Sequence, residues 1–229
     1  MKILLIIFIH GAGFDRTAWL LQSRYIANLG NPIISIDLPG HGYSKSEPLR
    51  SIEEMSILVE KIIKYLGFNK AILIGHSMGS LVAVKTGLLF PNIIKKNILL
   101  GTAKRMQVSP ILLSLAKKNV MEAIDMVINF SLPNNIKLNN NNSLPGYWLP
   151  SVARKAMSSC DLNSLYNDLL ACDSFIIDDS DIRSYSIPTI IISGEKDIMT
   201  NKKQGIEFAA LLNASSFNIK NCGHMMMIE

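Results

Sequence analysis

Ala71-Ile72-Leu73-Ile74-Gly75-His76-Ser77-Met78-Gly79-Ser80 is the stretch around which the rest of the chain is organised. Its first four residues form an apolar run of buried-strand length. Gly75-His76-Ser77-Met78-Gly79 follows at once as a G-x-S-x-G sequence, and a helix then runs to about Phe90, where Pro91 stops it. A serine held in a sharp turn between strand and helix has a strained backbone, so the residues two before and two after it must be tiny. Gly75 and Gly79 meet that need. Ser77 Oγ then projects above the strand end. The positive end of the following helix faces any oxyanion that develops there. This context makes Ser77 a candidate nucleophile rather than part of a chance loop.

Outward from this stretch the same alternation repeats. Ile3 to Ile9 reads as a buried strand, and His10-Gly11-Ala12-Gly13 is the loop after it. Thr17 to Leu29 is a helix ended by Gly30, and Pro32 to Ile36 is a second strand. Asp37-Leu38-Pro39-Gly40-His41-Gly42-Tyr43-Ser44 is a glycine-rich loop. Ser51 and Glu54 are spaced as a capping box for a helix with Ile52, Met55, Val59, Ile62, Ile63 and Leu66 on one face. Ile98 to Leu100 is a further strand.

The alternation then pauses. Between Met106 and Tyr185 the pattern is helical, with candidates at 111–116, 121–130, 152–158 and 162–171 around the low-complexity loop 139–142. It resumes with strands at 188–192 and 215–219 and a helix at 202–212. Repeated βα units predict an α/β fold with a mostly parallel sheet and helices on both faces. Residues 1–105 and 186–229 form the expected core, and 106–185 a small helical cap insert. Ligands in such sheets sit beyond the carboxyl ends of the strands. The insert would roof that end.

The composition narrows the classes. A chain of 229 residues, 48% hydrophobic, suits one sizeable core with an inserted lid. The net charge of +5 comes from scattered lysines with no basic run interleaved with aromatics, so no nucleic-acid partner is expected. Cys160, Cys172 and Cys222 are odd in number and widely spaced, which points to a reducing, cytoplasmic location. Met1-Lys2 and the seven apolar residues after them lead straight into the HGAG loop with no small-residue cleavage site. A strand, not a signal peptide, is the reading. No run approaches 18 apolar residues, so no stable membrane insertion is expected. No Cys/His cluster has metal-ligand spacing, and neither a metal nor a cofactor is expected.

A serine nucleophile needs a base, and the base needs an orienting carboxylate. Of the four histidines, His76 precedes the serine and should point away across the turn. His10 and His41 lie in loops that they are better placed to brace than to serve as base. His224, in Cys222-Gly223-His224 just past the last strand, is the best-placed base. Asp197, in Gly194-Glu195-Lys196-Asp197 after a strand, is the best-placed acid. The loop after Leu100 offers no carboxylate, and Asp178, Asp179 and Asp181 are expected to solvate the end of the insert. The order Ser77, Asp197, His224 is the one that accompanies G-x-S-x-G.

With these residues in hand, the chain resembles the α/β-hydrolase superfamily, near its small carboxylesterase, lactonase and non-metal haloperoxidase branch. HGAG, DLPGHGYS, GHSMGS, GEKDIMT and CGHMMMIE carry the resemblance, in order and over nearly the whole chain. It implies that the Ala12 and Met78 backbone amides form the oxyanion hole, that Trp19 packs beneath the HGAG loop, and that the insert is a helical cap. Serine at 77, where dehalogenases and epoxide hydrolases of the superfamily carry aspartate, argues against those two reactions. Relatives commonly have two strands before the one that begins here at residue 3, and a helix after the histidine. A truncated reading frame, or a second subunit covering the exposed sheet in a homo-oligomer, is the corresponding expectation.

The function this implies is hydrolysis of small-molecule carboxylic esters or thioesters of small to medium acids through an acyl-enzyme. A lactonase, a C–C bond hydrolase or a perhydrolase would use the same groups, and a non-catalytic ligand-binding protein would share the fold. Leu112, Leu113, Met126, Phe130, Tyr147, Trp148 and Leu165 are the candidates for lining the pocket, each equally suited to the core of the cap.

Overall fold

A computed structural model describes residues 4–137 and 148–229. The 139–142 loop and Tyr147 lie outside the described residues. Among the described residues six strands form one sheet: β1 (Leu5–Ile9), β2 (Ile33–Ser35), β3 (Ala71–His76), β4 (Ile94–Leu100), β5 (Thr189–Gly194) and β6 (Ser215–Ile219). Their order is β2-β1-β3-β4-β5-β6, and every pairing is parallel. The chain steps from β1 to β2 on one side and then crosses to β3 on the other. The reversal of direction lies between β1 and β3, where loops diverge and leave a crevice.

Strand alternation decides the two faces. Ile7, Leu73, Leu99 and Ile191 share one face with α2 (Ile52–Tyr65), α3 (Met78–Leu89) and Phe208 of α10 (Lys202–Leu211). Phe8, Ile74 and Leu100 point the other way, onto Trp19 and Met225 to Met227. Trp19 closes a short 3-10 turn that leads into α1 (Leu20–Asn28), and its ring lies 5.2 Å from that of Phe8. Helix α3 is buried on nearly every side, which is why its sequence lacks a polar face.

Local chemistry departs from expectation in three places. Ser51 Oγ accepts the Glu54 N–H at 3.1 Å, but the Glu54 carboxylate reaches back to the Arg50 N–H instead of closing the box on Ser51. β4 begins at Ile94, four residues before the apolar run that marked it. Its polar Asn97 is buried because the side-chain amide donates to Ala83 O at 2.9 Å and Tyr185 Oη at 2.8 Å. Asp178 and Asp181 do not merely solvate the insert's end: they form the capping box of α9 (Asp179–Ser184).

The helices between β4 and β5 are α4 (Pro110–Lys118), α5 (Val120–Ser131), α6 (Asn134–Lys137), α7 (Leu149–Ser158), α8 (Ser164–Ser174) and α9. They reach over the carboxyl ends of the strands. Ser131 O of α5 accepts the His224 N–H at 2.8 Å, and Asp168 of α8 accepts the Gly13 N–H at 2.8 Å. No helix among the described residues is long and apolar enough to cross a membrane.

Candidate active site

Ser77 sits between β3 and α3 with φ 50° and ψ −118°, in the positive-φ region that a side chain seldom adopts. Its N–H extends the ladder to Leu100 O at 2.9 Å, and its carbonyl accepts from the Ser80 N–H at 2.8 Å. A Cβ on Gly75 would lie 2.1 Å from Gly79 O, and one on Gly79 would lie 2.3 Å from Ile9 O. Neither contact is possible, so both glycines are required by close backbone approach.

Asp197 and His224 come from the loops after β5 and β6. These loops are pressed together: a Cβ on Gly194 would meet Gly223 O at 2.1 Å, and the Lys196 N–H donates to Cys222 O at 2.7 Å. Asp197 Oδ2 accepts from His224 Nδ1 at 2.8 Å and from Thr200 Oγ1 at 2.9 Å. Its Oδ1 accepts the Met199 and Thr200 amides at 2.9 and 3.0 Å. Burial of Asp197 opposes its charge. The facing His224 and the Thr200 hydrogen bonds outweigh that and hold the carboxyl below the usual range. With Nδ1–H given to Asp197, the Nε2 of a neutral His224 carries the free lone pair.

Two residues that hold this pair were not singled out from the sequence. Thr200, three positions after Asp197, is one. Glu229 is the other. Its carboxylate accepts the Gly223 N–H at 2.7 Å and the Met225 N–H at 3.0 Å, bracketing His224. The spacing of Thr200 and Glu229 in GEKDIMT and GHMMMIE is the one signal the sequence offered.

Ser77 and His224 line one cavity of about 320 Å³ together with Gly11, Ala12 and His76. Among the described residues no hydrogen bond joins Ser77 Oγ to His224. Contacts of this kind commonly tighten only with substrate bound. Ala12 lies beside the serine in the loop after β1, and Met78 opens α3, so its N–H has no helical carbonyl to bind. Of the pocket candidates, Leu112, Met126 and Phe130 line the cavity. Leu113, Leu165 and Trp148 are not among its lining residues. Leu165 is buried against Gly13, Leu113 packs on the core of the insert, and Trp148 is largely exposed ahead of α7. The wall also includes Met106, Val127, Cys172, Ile198 and Met225, and among the described residues no Lys, Arg, Asp or Glu. A surface groove of about 750 Å³ near Glu47 and Tyr166 contains no serine, cysteine or histidine.

The other three histidines are each held by hydrogen bonds to neighbouring loops. His10 donates from Nδ1 to Gly11 O at 2.9 Å and accepts the Leu38 N–H on Nε2 at 3.1 Å, which makes it neutral. Burial, aided by neighbouring His41, lowers its pKa to about 4. His76 donates from Nε2 to His224 O at 2.9 Å, and burial, with His224 nearby, lowers its pKa to about 3. Both ring nitrogens of His41 face oxygens, Pro39 O at 3.0 Å and Asp168 Oδ2 at 2.8 Å, so both donate and the ring is an imidazolium. Burial opposes that charge, and the Asp168 carboxylate overcomes it and raises the His41 pKa.

These shifts predict an acid limb in stability. His10 and His76 stay neutral when folded but charge when unfolded once the pH drops below their ordinary value near 6.5. Their contribution is complete above that pH and is lost on the way down to about 4 and 3. His41, with a raised value, loses its contribution only as pH climbs above 6.5 and adds no slope in this window. Unfolding should therefore take up as many as two protons between pH 6 and 4.5, a slope of up to about 3 kcal/mol per pH unit. Denaturant titrations at pH 7, 6 and 5 read this. A stability independent of pH over that range would mean the two rings are not held neutral.

A family model described as the alpha/beta hydrolase family matches residues 6–229. The chain belongs to the alpha/beta hydrolase family. It is 26% identical over 220 residues to a putative esterase/lipase 2 of Mycoplasma genitalium, covering 89% of this chain and 75% of that one. Alignments with other curated relatives, among those most similar, are shorter and span less than a third of those proteins' length. Among solved structures, an enol-lactonase from Burkholderia xenovorans superposes with a TM-score of 0.88 at 21% identity, over 100% of this chain and 86% of that one. A thermophilic esterase superposes with a TM-score of 0.79 at 28% identity, over 98% and 83%. The alpha/beta hydrolase family and its fold are thus established for this chain.

Proposed function

We propose that this hydrolase cleaves uncharged carboxylic esters of short acids with Ser77 as nucleophile, His224 as base and Asp197 as its orienting acid. The observation that carries this reading is the Asp197–His224 hydrogen bond of 2.8 Å at the rim of the cavity that Ser77 enters. His224 Nε2 takes the Ser77 proton as Oγ attacks the ester carbonyl. The imidazolium that forms is stabilised by the fully hydrogen-bonded Asp197. The Ala12 and Met78 amides receive the oxyanion, each worth roughly 3 kcal/mol by comparison with other oxyanion donors. His224 gives its proton to the leaving alcohol, then activates the water that clears the acyl group.

The wall supports the substrate class. It is largely apolar and, among the described residues, carries no cation to recognise a second carboxylate, which favours a neutral acyl chain over a dicarboxylic half-ester. A volume of about 320 Å³ has room for a small ester rather than a long lipid chain.

Covalent labelling of Ser77 by a fluorophosphonate tests the nucleophile. A p-nitrophenyl ester series from acetate to palmitate tests the pocket. Each methylene that is buried should add about 0.8 kcal/mol, roughly fourfold in kcat/KM, up to about six carbons, and the series should then break sharply. A maximum at ten carbons or beyond would overturn the short-acyl reading.

A further inference from the structure

Asp168 is a fully buried acid, on a helix of the insert and outside the Ser–His–Asp group. One of its oxygens, Oδ2, accepts two donors at 2.8 Å: the Gly13 N–H and the Nε2–H of His41. Gly13 is the residue after Ala12, at φ 69°, where glycine alone is unstrained. His41 is fixed in turn by its Nδ1–H donated to Pro39 O and by its stacking on His10, 4.8 Å between ring centres. The same part of the insert grips these loops again: Ser164 Oγ and the Asp161 N–H both donate to Gly40 O at 2.8 Å. Leu165 and Met157 fill the space that a Cβ on Gly13 would take.

We propose that Asp168 is a positioning residue for the oxyanion hole: from the insert it holds the Gly13 amide, and with it the direction of the neighbouring Ala12 N–H beside Ser77. This rests on the serine-hydrolase reading of the site. Asp168 touches no reacting atom. It acts by fixing one peptide away from the donor, and the His41 Nε2–H bonded to the same oxygen keeps that oxygen aimed at the Gly13 N–H. The insert thereby belongs to the catalytic geometry as well as to the pocket wall. A loop freed from Asp168 would still bind substrate through the apolar wall, but would aim the Ala12 donor less well at the charge that develops in the transition state.

The test compares near-isosteric replacements. Asp168→Leu keeps the volume and has no acceptor for the Gly13 N–H. Asp168→Asn keeps an amide oxygen that can accept both the Gly13 N–H and the His41 Nε2–H. The readout is the ratio of two affinities: Ki for an alkyl trifluoromethyl ketone, which binds as a tetrahedral oxyanion adduct, and KM for the matching p-nitrophenyl ester. Asp168→Leu should raise Ki about 30-fold and lower kcat in step, part of the roughly 100-fold or more that deleting an oxyanion donor costs. KM should stay within about threefold, and Asp168→Asn should recover most of the loss. Equal changes in Ki and KM, or unchanged Ki in a folded Leu variant, would overturn the proposal.

Hydrogen exchange in the wild-type protein covers the case in which Asp168→Leu does not fold. The Gly13 amide should be protected as strongly as the amides of α8, and free exchange there would equally overturn it. Fluorophosphonate labelling of wild-type Ser77 checks the underlying hydrolase reading separately.

Discussion

Ser77→Ala should lower kcat on a short p-nitrophenyl ester by about 10⁶ while leaving stability within a few tenths of a kcal/mol of wild type. The first half follows from what Oγ alone supplies. Without it no acyl-enzyme forms, and the oxyanion donors and apolar wall can only assist water, which leaves about 10³ to 10⁴ over the uncatalysed rate. The second half follows from the backbone. Ser77 has φ 50° and makes its turn contacts through its N–H and C=O, to Leu100 and Ser80, which alanine keeps. Alanine at that φ is no more strained than serine. Steady-state kinetics, with a denaturant titration on the same sample, decide it. A variant retaining more than about a thousandth of wild-type kcat would show that Ser77 is not the nucleophile.

The sheet was legible because burial on both faces leaves apolar runs that survive in the sequence. β1, β3 and β5 are such runs, and their bounds come within two residues of the reading. β4 was read short because Lys95, Lys96 and Asn97 interrupt its apolar pattern, although Asn97 is buried with its amide NH2 donated to Ala83 and Tyr185. Only the partners reveal why an asparagine can sit there. The turn around Ser77 was legible for a stricter reason: the clash distances at Gly75 and Gly79 leave the sequence almost no choice of residue.

The insert was harder. Helical periodicity tells which residues share a face but not what the face meets. Leu112 of α4 points into the cavity, whereas Leu113, the next residue, packs on the insert core. Leu165 faces Gly13 rather than the cavity. Asp168 and Glu229 bond to backbone amides and Thr200 to the Asp197 carboxylate three residues before it, and such bonds leave no periodic trace. A buried acid in a helix that is otherwise apolar on that side was the one available hint for Asp168.

Asp197→Asn should lower kcat by about 10⁴, far more than Glu195→Gln or Asp181→Asn. The size comes from counting donors. Asp197 accepts four hydrogen bonds, two on each oxygen: Met199 and Thr200 amides on Oδ1, His224 Nδ1–H and Thr200 Oγ1–H on Oδ2. Asparagine has one oxygen and one NH2. If the oxygen stays on the amides, the NH2 points at His224, whose Nδ1 must then become the acceptor and whose proton must move to Nε2. That tautomer cannot take the Ser77 proton. If the amide flips, its NH2 faces two backbone N–H donors in a buried site, a clash the loop must relieve by moving. Either arrangement disables the base while the cavity is left in place, so kcat should fall and KM should change little.

Glu195 accepts only the exposed Asn221 N–H, and Asp181 caps a short helix far from His224. Their amides should keep kcat within about threefold of wild type, as most surface substitutions do. The fall in Asp197→Asn should also ease at high pH less than a simple loss of charge would allow, because the wrong tautomer persists wherever His224 is neutral. Kinetics of the three variants from pH 6 to 9, each checked for folding, make the comparison. An Asp197→Asn enzyme within tenfold of wild type would move the orienting acid elsewhere and leave the Asp197–His224 bond a structural one.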